Sequence, residues 1–111
     1  MGKKKSIKNT DAWINADWEY SGIISQDMMP FLSAPIVGQK RIDRLKEIIK
    51  LCPEYYPALI ELGYRYIKTG KDEIGKKSID KGLLSLKTHF YKQDLIDSYY
   101  SVCEFFEKHK F

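Results

Sequence analysis

A chain of 111 residues that is 43% apolar can bury one real core, and its 31% of charged residues suits a surface exposed to water. No apolar run is long enough to cross a bilayer, and Lys3-Lys4-Lys5 leads into polar residues rather than a secretory signal. The formal charge of +4 is supplied by Lys3, Lys4, Lys5 and Lys8, so residues 9–111 are neutral, which argues against a dedicated nucleic-acid surface.

The chain opens on Met1-Gly2-Lys3-Lys4-Lys5-Ser6, which matches the short pattern for N-myristoylation. Lysine directly after the glycine departs from what such sites tolerate, so a solvated basic tail over residues 1–9 is expected. Asn9, Thr10 or Asp11 then caps a short helix that carries Trp13 and Tyr20 on one face and ends at Ser21-Gly22. Met28-Met29-Pro30-Phe31-Leu32-Ser33-Ala34-Pro35 holds two prolines and reads as irregular chain. Residues 10–39 thus form an aromatic segment in which Asp11, Asp17, Glu19 and Asp27 meet no Lys or Arg. Residues 40–87 carry 12 basic and 7 acidic side chains. That asymmetry fits either solvated helix faces or an acidic segment folded back over a basic body. Trp13, Trp18 and Tyr20 are too apolar to be left in water. They suit either a cap on the helical body or a partner-binding hook, with Met28, Met29 and Phe31 as adaptable anchors.

Helical periodicity dominates from there to the C-terminus. Ile42, Leu45, Ile48, Ile49 and Cys52 line one face of a helix over 40–52, which Pro53 stops. Leu59, Leu62, Gly63 and Tyr66 line a second over 56–69, and Gly70 suits a left-handed C-terminal cap. Ile74, Gly75, Ser78, Ile79, Gly82, Leu83 and Leu86 line a third over 71–86. Gly63 removes a side chain from its stripe, so the neighbouring helix can come close at the small residues of the third. Leu95, Ile96, Tyr99, Val102, Cys103 and Phe106 predict a fourth helix over 94–109. Cys52 and Cys103 fall on apolar stripes far apart, which reads as two buried thiols in a reducing compartment and places the chain in the cytoplasm.

The run Leu59-Ile60-Glu61-Leu62-Gly63-Tyr64-Arg65-Tyr66, followed by Gly75, Ile79 and Gly82, resembles the tetratricopeptide repeat family. Leu59 stands where the family most often has Trp, Gly75 where it prefers Ala, and Ile79 where it prefers Phe. Pro53 stands where a proline closes the preceding repeat, so residues 40–52 resemble the second helix of that repeat. The best match covers residues 40–86. The last predicted helix resembles a degenerate first helix: either a terminal cap or the start of a longer array. The resemblance implies an all-α fold of antiparallel helical hairpins, a short α-solenoid over 40–111, with the aromatic segment packed on it or capping it.

Such repeats bind proteins and carry no chemistry, and the residues agree. His89 and His109 are isolated, and no phosphate loop, nucleophile elbow or close Cys/His cluster is present, so no enzyme, cofactor or metal is expected. The first helices of the family line a concave groove. Carried onto this chain, the partner-facing residues are Ile60, Tyr64, Ile67 and Lys68, with Tyr99, Cys103 and Phe106 on the last helix. Repeats that clamp chaperone C-termini use Lys and Asn where Ile60 and Tyr64 stand, so that subfamily is not expected. The expected function is an adaptor or scaffold that holds a peptide or helix of a protein partner. The alternative is an N-terminal regulatory or scaffolding domain of a longer, enzymatic protein. Exposed repeat ends also leave room for a homo-oligomer.

Overall fold

The computed structural model describes residues 7–32 and 34–89, and all of its regular structure there is helical. The helix expected over 94–109, with Tyr99, Cys103 and Phe106, lies outside the described residues. A short 3-10 turn at Ile7–Asn9 leads into four α-helices: α1 Asp11–Met28, α2 Gly38–Leu51, α3 Tyr56–Lys68 and α4 Asp72–His89. The chain divides into two compact units, Met1–Tyr55 and Tyr56–Phe111, so α2 belongs with α1. No helix among the described residues is long and apolar enough to cross a membrane.

In the first unit, Thr10 is the N-cap of α1: its hydroxyl oxygen accepts from the Trp13 N–H at 3.3 Å and donates to the Ile7 carbonyl at 2.7 Å. The expected stop at Ser21-Gly22 is overturned. The helix runs on to Met28, because the buried stripe Trp13, Ala16, Tyr20, Ile23 continues past Gly22 and outweighs the roughly 1 kcal/mol that a mid-helix glycine costs. Of the segment expected to be irregular, from Met28 to Pro35, only Met28 is helical among the described residues, and in the stretch after it Leu32 N–H closes a turn on the Met29 carbonyl at 3.0 Å. α2 buries Ile42, Leu45 and Ile48 at helical spacing. Its last turn closes where Cys52 N–H donates to the Ile48 carbonyl, and Pro53 follows.

The second unit is a helical hairpin. Pro57 sits in the first turn of α3, where a missing N–H costs nothing. The helix ends on Gly70, whose φ of 89° only glycine adopts without strain. Gly70 N–H donates to the Ile67 carbonyl at 3.0 Å and Lys71 N–H to the Tyr66 carbonyl at 2.8 Å, which satisfies two carbonyls the helix leaves open. An apolar contact commonly accompanies this closure. Here Lys71 Nζ lies over the Tyr66 ring, 5.8 Å from its centre. Asp72 and Glu73 then start α4, favourably placed at the positive end of its dipole.

Glycines set the α3–α4 spacing, as their positions in the sequence predict. A Cβ on Gly63 would lie 2.4 Å from Ile79 Cγ1 and 2.6 Å from the Gly75 carbonyl oxygen. One on Gly82 would meet Ile60 Cγ1 at 2.7 Å. Ser78, buried between the helices, donates its hydroxyl to the Leu59 carbonyl at 2.7 Å, so no polar group is stranded there.

Candidate interaction surfaces

The expected groove residues separate on the structure. Tyr64 is 41% exposed and Lys68 is exposed, one turn apart on the same face of α3. Ile60 is only 4% exposed, and its Cγ1 fills the space left by Gly82. Ile67 is half-buried, and its Cγ1 fills the space at Gly75. Both isoleucines therefore pack on α4 instead of lining an open groove, which corrects their expected orientation. The cause is the bare backbone of Gly75 and Gly82, which draws in the branched side chains opposite. Beside them Glu61, fully buried, accepts from Arg65 Nε at 2.7 Å, one turn along α3. The open part of this face is thus Tyr64 and Lys68, with part of Arg65.

The first unit assembles a second set of groups. Three of the four acids of the aromatic segment reach partners on α2 or the turn after it. Asp17 Oδ1 accepts from the Tyr55 hydroxyl at 2.7 Å, Glu19 from Arg44 at 2.6 Å, and Asp27 from Arg41 at 2.7 Å. Arg41 is 1% exposed and also donates to the Ile36 carbonyl at 3.2 Å. Trp13 and Tyr20 both meet the Tyr55 ring edge-on, with centres 4.7 and 5.7 Å away. Within this unit, then, Glu19 and Asp27 pair with cations of α2, while Asp17 bonds to a tyrosine. None of Arg41, Arg44 or Tyr55 stands out in the sequence, because each is legible only once α1 is laid against α2.

A shallow cavity of about 260 Å³ opens beside this pairing, lined by Glu19, Arg44, Glu47, Ile48 and Leu51. Arg44 already holds Glu19 and, at 3.4 Å, Glu47, so its charge is spent within the fold. Among the described residues no group of three His, Cys, Asp or Glu side chains is placed to hold a metal ion. Cys52 is buried, and burial pushes its thiol pKa up, with the nearby Glu54 charge adding to the rise and a backbone hydrogen bond from Glu54 opposing it.

The opposite face of α1 behaves differently. Trp18, expected to be shielded with Trp13, is 79% exposed, and Ile14 and Met28 are 52% and 66% exposed. Trp18 lies about 140° around the helix from Trp13, at 100° per residue, so one ring enters the core and the other cannot. Met29, Phe31, Leu32 and Val37 are exposed as well, which leaves the hook residues of the segment open. Comparison with protein-family models found no match, and comparisons with curated protein sequences and with solved structures likewise found none.

Proposed function

We propose that the protein is a cytoplasmic protein–protein interaction module built on a tetratricopeptide-like hairpin, with α3 presenting the partner-binding face. The observation that carries this reading is the reciprocal close approach of Gly63 to Gly75 and Ile79, with Gly82 admitting Ile60. The small residues that carry the resemblance are the ones at the helix crossing. With Ile60 and Ile67 committed to α4, the binding chemistry narrows to Tyr64 and Lys68. Tyr64 offers ring area and Lys68 a cation, which suits a segment that pairs an apolar anchor with an acidic side chain.

The test is site-specific photocrosslinking in lysate from the source cell, with the reactive group at position 64 or, on the exposed side of α4, at position 77. A protein captured at position 64 but not 77, and lost on Lys68→Glu, supports the reading. Equal capture at both positions, or none at 64, rejects it.

A further inference from the structure

α1 ends in five consecutive apolar residues, Met28-Met29-Pro30-Phe31-Leu32, and every one of them is exposed. Phe31 and Leu32 are 81% and 71% open to water, and Val37, the N-cap of α2, is exposed as well. A run of this kind at a surface is ordinarily covered. The backbone that carries it is tied down. Arg41 donates to the Asp27 carboxylate at 2.7 Å and to the Ile36 carbonyl at 3.2 Å, so one buried guanidinium holds both ends of the connection. Between them Met29 N–H donates to the Ser25 carbonyl at 2.9 Å, and Leu32 N–H closes on the Met29 carbonyl around Pro30. Side chains presented from a fastened turn lose little further freedom when they are covered.

Charge and area indicate the occupant. Residues 28–39 hold no charged side chain, and Asp27 at their border is neutralised by Arg41. In a symmetric dimer a group near the axis meets its own copy, so a charged patch repels itself and an uncharged one does not. No Lys or Arg stands between Asn9 and Gln39, so the surface lacks the cations that would select an anionic bilayer or an acidic protein. Exposed side chains of this size offer roughly 500 Å² per copy, and two copies together remove about 1,000 Å² from water, the lower bound for a specific interface.

We propose that Met28, Met29, Phe31, Leu32 and Val37 form the interface of a homodimer, in which the Pro30 turn of one copy packs against that of a second. This inference is independent of the α3 reading, since the residues involved are all in the first unit.

Sedimentation velocity of the full chain from about 1 to 500 µM is the test, because an interface at the lower size bound gives a weak dimer. The expected result is a shift from monomer to dimer across that range. Phe31→Asp removes two rings from each dimer and brings two carboxylates to the interface. It should weaken association about a hundredfold or more. Phe31 is too exposed for the fold to depend on it, and an unchanged melting temperature checks that. Trp18→Ser, at an equally exposed site nearly three turns back along α1, should leave the dimer intact. A monomer at every concentration overturns the proposal. So does a dimer that Phe31→Asp leaves unchanged, or one that Trp18→Ser disrupts as strongly, which would move the contact to the outer face of α1.

Discussion

Gly63 and Gly75 face each other so closely that neither can carry a side chain: a Cβ on Gly63 would sit 2.6 Å from the Gly75 carbonyl oxygen, and one on Gly75 2.5 Å from the Gly63 carbonyl oxygen. The obstruction is backbone on both sides, so it cannot be relieved by a rotamer change. Gly63→Ala should therefore destabilise the protein by about 1–3 kcal/mol, although alanine is the better helix former. Urea unfolding followed by circular dichroism measures this. A gain in stability would mean that the helices lie further apart than described.

Asp27 and Arg41 form a closely enclosed ion pair in the first unit, 11% and 1% exposed. Asp27→Ala removes the carboxylate from a guanidinium that water barely reaches, and should cost about 3 kcal/mol. Replacing both partners with apolar residues, Asp27→Leu with Arg41→Met, should recover much of that loss. A double variant as unstable as the single one would show that Arg41 is held mainly by its other bonds.

The two tryptophans should respond oppositely to removal. Trp13→Ala vacates a buried site against Tyr55 and should cost about 3–5 kcal/mol. Trp18→Ala should stay within about 0.5 kcal/mol of wild type. In the native protein acrylamide should quench one tryptophan readily and the other poorly. Equal loss of stability in the two variants would contradict the placement of α1.

Cys52 gives a pH dependence with a definite sign. Burial raises the folded-state pKa of its thiol above the ordinary value of 9.0, so the unfolded chain loses the proton first. The contribution to stability is intact below pH 9.0 and should fall as pH rises from there toward the folded-state pKa. In a Cys103→Ser background, Cys52 should react slowly with a thiol reagent in native protein and quickly in urea. A Cys52→Ser variant should lose that part of the alkaline decline. Rapid labelling of the native protein would place the sulfur at the surface.

The helices legible in the sequence were those whose stripes end on a strong signal. Pro53 and Gly70 bound α2 and α3 within two residues of expectation. A local stop rule misplaces the end of α1 at Gly22, because the buried stripe of Trp13, Ala16 and Tyr20 goes on to Ile23. The hairpin crossing was legible, since a glycine on one helix and small residues on the next mark a place for close contact. Which side chains would fill those places was not. Reading α3 alone, Ile60 and Ile67 lie off the main stripe and look free; only Gly82 and Gly75, on another helix, decide otherwise. The acids of α1 were conspicuous for lacking cations nearby. Their assignment to Tyr55, Arg44 and Arg41 depends on the crossing of α1 and α2, which periodicity does not encode.

Tyr55 has a consequence for the order in which the chain folds. It is the last residue of the first unit, and its ring and hydroxyl reach back to Trp13, Tyr20 and, across 38 positions, Asp17. The α3–α4 hairpin closes across a turn of a few residues, so little chain entropy opposes it and it can form early. The first unit must instead wait for its most distant member. During synthesis, the inner face of α1 leaves the ribosome bare, and it is not fully covered until α2 and then Tyr55 follow. That interval, rather than the finished protein, is when the chain is most open to aggregation and to chaperones.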